Sequence, residues 1–270
     1  MEDNQKNNTN TIFPNTIDSF FFRKAWEIFS DNWSFILKLI LITALFVTII
    51  NMLLIERILP EINLDYEQDL SSMFNYLITL QLYSFIANII LLVPKSYFLL
   101  IFIILLPLMY ENKEIGFADL GMFNVGLFIK FYMYSLMILL LEAIGIMMCV
   151  VPGILVVIQF AFLQFAFLLE TPPRLFARTF ELINGYRVQI LSIYMLYFFI
   201  LTALSFILLP FFSTDQPAVE PAGGFSVFDF VFDYVNQIVV AGLTYFVTVL
   251  FFQVYMMSRI VRGEIEVVEK

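Results

Sequence analysis

The sequence predicts an all-α, polytopic helical membrane protein with six transmembrane helices and interfacial amphipathic helices on the cytoplasmic side. Of its 270 residues, 61% are hydrophobic and 14% are charged, whereas soluble domains are about 45–50% apolar and about 25% charged. The mean hydropathy is +0.90, and the stretch 139–170 carries only two charged residues, Glu142 and Glu170. Because lipid solvates apolar side chains, this composition is typical of a chain that lies mostly within a bilayer.

The chain begins with a polar segment and an amphipathic one. Residues 1–15 lack the basic start and apolar core of a signal peptide, so we expect a disordered cytoplasmic tail. Residues 17–31 predict a short amphipathic helix at the membrane surface. The aromatic residues along one side of this helix continue to Trp33, the first residue of the first predicted span. These aromatic residues follow helical spacing and are Phe22, Trp26, Phe29 and Trp33.

A single helical membrane domain is predicted over 16–262, followed by a cytoplasmic tail at 263–270. Its apolar segments predict spans at about 33–54, 94–110, 125–148, 151–169, 188–210 and 233–257. The apolar run 76–110 is too long for one ordinary crossing. We therefore predict an interfacial or re-entrant helix at about 72–93, with Pro94 opening the second span, and a long tilted span as the alternative.

The charges predict the orientation of the bundle. With both termini in the cytoplasm, all of the 14 Lys and Arg residues except Arg57 and Lys95 fall on the inner side. This distribution follows the positive-inside rule, and the net acidity of the chain then belongs to the outer loops. The sequence thus predicts a multi-pass protein whose N- and C-termini are both cytoplasmic.

Several kinds of chemistry are excluded by residue content. The chain has no histidine and one cysteine, which rules out histidine-ligated metals, a Ser-His-Asp triad and an intramolecular disulfide. It contains no nucleotide-binding glycine motif, and a formal charge of −9 does not suit binding to nucleic acid. We therefore expect no enzymatic activity, no catalytic or metal-binding residues, no cofactor and no nucleic-acid partner.

The third and fourth predicted spans, 125–148 and 151–169, contain the most informative polar residues. Glu142, Gln159 and Gln164 form a candidate intramembrane polar site, and Pro152-Gly153 predicts the tight outer turn of the hairpin between them. One interpretation is a site for a proton, a cation or a polar solute. The other, which we favour because no second acid completes a relay, is hydrogen bonding that locks the two helices together.

Three arginines mark the surface helix predicted at 171–187. Arg174, Arg178 and Arg187 are candidate contacts for anionic lipid headgroups. They serve equally well as charges that set the topology.

The hairpin segment 146–154, IMMCVVPGI, and the basic helix 174–185 that follows the next span together resemble the YciC-like family of bacterial inner-membrane proteins. More distantly, the chain is similar to the membrane domain attached to some glycerophosphodiester phosphodiesterases. The resemblance covers most of residues 20–262. It implies a multi-pass location in the bacterial inner membrane, and it supplies no activity and no catalytic residues.

These observations lead to two expectations about function. The first is a non-enzymatic protein with a structural or envelope-maintenance role, whose partners are membrane lipids and other membrane proteins. The alternative is a small transporter or channel with a polar site around Glu142.

Overall fold

The computed structural model is mostly helical over the residues that it describes, which are 19–58, 70–111, 113, 115, 124–148, 150–170, 172–212 and 227–265. No strand occurs in these ranges, so the all-α prediction is confirmed. The helices, in chain order, are α1 Ser19–Asp31, α2 Trp33–Ile58, α3 Leu70–Tyr110, α4 Val125–Met148, α5 Val150–Phe160, α6 Leu163–Phe165 with a π-helical extension Ala166–Glu170, α7 Leu175–Ile183, α8 Arg187–Phe212 and α9 Val227–Val261.

The polytopic character is confirmed as well, whereas the number of six spans is not. Within the described ranges, four helices are long and apolar enough to cross a membrane. Residues 154–170 together with α7 form a helical pair bent by 120°, which raises the number to five if it is one broken span. The apolar part of α4, Val125–Leu141, is shorter. The four long segments are Trp33–Leu53, Leu82–Tyr110, Arg187–Leu204 and Phe230–Val261.

Helix α3 corrects the prediction that the chain breaks at Pro94. Instead of an interfacial helix at 72–93 and a span at 94–110, one continuous helix runs from Leu70 to Tyr110 with Pro94 and Pro107 inside it. A proline removes one backbone hydrogen bond, but ending the helix in an apolar environment would leave several backbone groups unsatisfied. The apolar residues on both sides of the buried Pro94 therefore favour continuing the helix, in line with the tilted-span alternative.

The predicted fourth span, 151–169, is interrupted. After α5 the chain makes a turn at 161–162, where the Ala161 N–H bonds the Ile158 carbonyl at 3.3 Å, and then resumes as α6. The wider π-helical turn Ala166–Glu170 completes the segment. These breaks place Glu170 at the end of the segment, close to α7.

Helices α4 and α5–α6 pack antiparallel as a hairpin. The Gln164 Nε2 donates to the Ser135 Oγ at 3.1 Å, and the rings of Tyr134 and Phe167 lie 4.8 Å apart. In each pair, one residue precedes position 149 and the other follows it by about the same number of residues. Position 149 separates α4 from α5, so the two helices run back along each other from this point. Residues 152 and 153, the expected turn, belong to the first turn of α5, where the missing N–H of a proline costs no hydrogen bond.

Helix α9 is the centre of the bundle and contacts α1, α2, α3, α7 and α8. Midway along it, the buried Tyr245 packs on Phe102 of α3, with ring centroids 4.7 Å apart, and shares a 2.7 Å hydrogen bond with Thr43 of α2. Nearer its end, Tyr255 packs against Phe162 and Phe165. The α9 aromatics thus join the N-terminal helices to the α4–α7 segment.

Candidate functional site

Of the three residues predicted for the intramembrane polar site, the structure describes the side chains of Gln159 and Gln164. Position 142 lies in α4, and the hairpin register places it level with Gln159, which is half-buried on α5. The Glu142 side chain lies outside the described residues, so the solute-site hypothesis stays a prediction. Gln164 bonds Ser135 across the hairpin, which is the contact expected of a residue that ties two membrane helices together.

The three candidate headgroup arginines occupy two different environments. The Arg174 and Arg187 residues are exposed, and their role at the lipid surface stays a prediction. The Arg178 side chain is only 18% exposed and is bound to carboxylates of the protein itself. Its charge is therefore compensated within the bundle.

A partly buried ion network at the end of α9 is the most highly connected polar feature in the described part of the chain. At its centre, one Glu170 oxygen accepts from Arg178 Nε at 2.6 Å, and the other accepts from the Tyr255 hydroxyl at 2.5 Å. Arg259 Nε lies 3.4 Å from Glu170 Oε1 and 3.4 Å from the Glu264 carboxylate. Arg178 also binds Glu264. Arg178 Nη1 also lies 3.6 Å from the more exposed Glu181 carboxylate, so two guanidinium groups face three carboxylates.

The local backbone brings these side chains together. The π-helical turn ends at Glu170, α7 carries Arg178, and the end of α9 carries Arg259. Beyond α9 the chain turns at Gly263, whose φ of 71° is readily adopted only by glycine. The Glu264 N–H then bonds the Arg259 carbonyl at 3.1 Å, which directs Glu264 back towards the network.

Two further hydrogen bonds fix α7 to α9 beside the network. Ser258 Oγ donates to the Leu182 carbonyl at 2.6 Å, and the Arg262 guanidinium donates to the Glu181 carbonyl. Both use carbonyls in the last turn of α7, where a helix lacks its regular backbone donors. The Glu181 carbonyl accepts from the Asn184 N–H as well, at 3.2 Å. The network is thus one part of a polar junction that holds the amphipathic helix against the bundle.

The chemistry of the network is that of a structural junction. The Glu170 side chain is 10% exposed and accepts from one guanidinium and one hydroxyl, so its oxygens are occupied. A carboxylate held this way is poorly placed to act as a general base, because a base needs access to the proton it removes. When oppositely charged side chains are shielded from water together and pair with good geometry, removing any one of them lowers the stability of the protein.

The sequence does not predict this network. It marks Glu170 only as the charge that ends an apolar stretch, and Arg178 as either a candidate headgroup contact or a charge that sets the topology. The partners come from three segments, with Glu264 lying 86 residues after Arg178. The sequence does show opposite charges next to several spans on the same predicted side of the membrane. This pattern is compatible with ion pairs there, but it does not specify which residues pair.

We expect Glu264 to make the stability of the protein sensitive to acid. The hydrogen bond from Arg178 holds the pKa of Glu264 below its ordinary value of 4.5. Since the pKa is lower in the folded state, this contribution is complete above the ordinary pKa and is lost as pH falls through the folded one. Between about pH 5 and pH 3, the free energy of unfolding in detergent should fall more steeply for the wild type than for Glu264→Gln. Equal slopes would contradict the assignment.

A second polar set joins α2 to α9 within the spans. Asp233 accepts hydrogen bonds from Asn51 Nδ2 at 3.4 Å and from Gln237 Nε2 at 3.3 Å, and it attracts Lys95 of α3 electrostatically. Asp233 is the first residue of the predicted last span, 233–257. A carboxylate in this environment needs such partners, and here they tie neighbouring helices together.

In the described ranges, no group of three or more acidic or cysteine side chains is arranged to hold a metal ion. No protein-family model, no curated protein and no solved structure matches the chain.

Proposed function

We propose that the protein is a non-enzymatic, multi-pass protein of the bacterial inner membrane that maintains the envelope through contacts with lipids or partner membrane proteins. Both termini are cytoplasmic in this proposal, as the charge distribution predicts. The observation that carries the proposal is the arrangement of α7. One side of this helix is fixed to the bundle by Arg178, Thr179 and Leu182, while Phe176 and Phe180 on its other side stay exposed.

Exposed aromatic residues on a rigidly held amphipathic helix are suited to the membrane interface or to a partner surface. Both α7 phenylalanines pack edgewise or tilted against Phe160 of α5, with centroids about 6 Å apart, so they are held in place on the surface. Helix α1 repeats the arrangement. Its Phe29 packs on Phe246 of α9, while Trp26 is 64% exposed.

The polar contacts within the bundle also favour a structural role. Gln164 bonds Ser135, Thr43 bonds Tyr245, and Asn51 bonds Asp233, and each of these contacts joins two helices. The resemblance to the YciC-like family accords with the proposal. Transport centred on Glu142 stays the alternative.

The proposal is tested by measuring what the full chain retains on purification. We expect mass spectrometry of the protein, extracted gently from its membrane, to find a reproducible set of lipids or membrane proteins. Phe176→Ala combined with Phe180→Ala should lower their retention about thirtyfold, since each half-exposed ring contributes on the order of 1 kcal/mol when it is covered.

The matched control is Phe198→Ala combined with Phe199→Ala, which removes two exposed rings from α8. A retained set that is unchanged in the α7 variant, or lowered equally in the control, would contradict the proposal.

A further inference from the structure

A surface groove lies where the start of α4 meets the segment leading into α7. It is open to the surface, and its two adjoining parts have volumes of about 460 Å³ and about 430 Å³. The two parts share Tyr134, Pro172 and Leu175, so they form one continuous depression. Its size is within the range of ~300–1,000 Å³ that is typical of sites for small ligands.

Two cations line the groove, one in each part. Lys130 on α4 lines the first part, and Arg174, just before α7, lines the second. Both residues are exposed, and no carboxylate in the described part of the chain forms an ion pair with either. Arg178, only four residues from Arg174, is by contrast neutralised by Glu170 and Glu264. Among the described residues, the positive charge of the groove is therefore uncompensated.

The remaining lining is largely apolar. Leu127 and Phe167 contribute to the first part, and Phe176 contributes to the second. Tyr134 packs its ring against Phe167 at 4.8 Å, which fixes the wall between them. The first turn of α4 also borders the groove, and the positive end of its helix dipole adds to the two cations. A ligand that fits this lining has an anionic end and an apolar body.

We propose that this groove binds the headgroup phosphate of an anionic glycerophospholipid, with Lys130 and Arg174 as the phosphate-binding residues. The inference rests on the proposed function and identifies one lipid site for it. A lipid fits better than a soluble phosphate, because the apolar walls have no role in binding a fully hydrated anion. A bilayer lipid supplies both the charge and the hydrocarbon, and the neighbouring exposed Phe176 and Phe180 continue the apolar surface.

The test uses the full chain reconstituted in bilayers of phosphatidylethanolamine and phosphatidylglycerol, with the bound lipids counted by native mass spectrometry. We expect the wild type to be enriched in phosphatidylglycerol relative to the bilayer. Lys130→Gln combined with Arg174→Gln should lower this enrichment about tenfold, as expected for losing two charge-assisted contacts. Lys130→Arg combined with Arg174→Lys should retain most of it.

The control is Lys38→Gln combined with Lys113→Gln, which removes the same charge from two exposed positions outside the groove. An equal loss in this control, or no enrichment in the wild type, overturns the groove as a site. Displacement of phosphatidylglycerol by inorganic phosphate would overturn the assignment to lipid. Because this test changes Lys130 and Arg174 and leaves the α7 aromatics intact, the groove can fail while the proposed function stands.

Discussion

Replacing Glu170 with alanine should lower the free energy of unfolding by about 2–4 kcal/mol, the low end of what breaking a buried ion pair costs. The change would leave Arg178 and Arg259 with the carboxylate of Glu264 and, for Arg178, the exposed carboxylate of Glu181, and would remove the acceptor of the Tyr255 hydroxyl. The 10% exposure of the Glu170 side chain and the 18% exposure of Arg178 allow little compensation by water. Reversible unfolding in mixed micelles measures the difference.

A matched control separates this effect from the general loss of a surface charge. Glu27 pairs with Arg23 at 3.5 Å and with Lys24 at 3.6 Å on α1, where the Glu27 side chain is 47% exposed. Glu27→Ala should change stability by no more than about 0.5 kcal/mol, because exposed ion pairs contribute little. Similar effects of the two substitutions would show that the Glu170 network does not hold α7 to α9.

Replacing Phe102 with alanine should destabilise the protein by about 3–5 kcal/mol, the usual cost of emptying an aromatic site in a core. Phe102 is fully buried on α3, and its ring packs on Tyr245 at the centre of α9. Since lipid tails are as apolar as the core, the loss comes chiefly from the missing contacts and the cavity. The same unfolding assay measures it.

Phe199→Ala provides the comparison, because Phe199 is exposed on α8. It should leave stability within about 0.5 kcal/mol of the wild type, as is usual for surface substitutions. A small effect of Phe102→Ala would mean that α3 and α9 do not meet through this pair.

Several helices could be predicted closely from the sequence. The predicted spans 33–54, 125–148 and 188–210 correspond to α2 Trp33–Ile58, α4 Val125–Met148 and α8 Arg187–Phe212. Each is an apolar run with polar residues at its ends, and such runs form helices because lipid leaves the backbone no other hydrogen-bond partners.

The remaining features depend on contacts that a local pattern does not contain. Pro94 suggested a boundary, yet the apolar surroundings of α3 keep the helix continuous through it. The Glu170 network and the Asn51–Asp233 contact join residues that are far apart in sequence. Their residue types were visible in the sequence, but their pairing follows from how α2, α7 and α9 pack.

These contacts bear on function because they use polar side chains to join helices. Gln164, one of the three residues predicted for an intramembrane site, bonds within the hairpin. The exposed features that the proposed function uses are the aromatic sides of α1 and α7 and the cationic groove beside α7. The proposal therefore places recognition at the surface of the bundle.

The most direct measurement combines two readings of one reconstituted preparation: the lipids and proteins that the full chain retains, and the proton and cation flux that it supports in liposomes. We predict a reproducible retained set that is lost in the Phe176→Ala, Phe180→Ala variant, with flux no greater than that of protein-free liposomes. Flux that is abolished by Glu142→Gln at unchanged expression, with no retained set, would contradict a role through surface contacts.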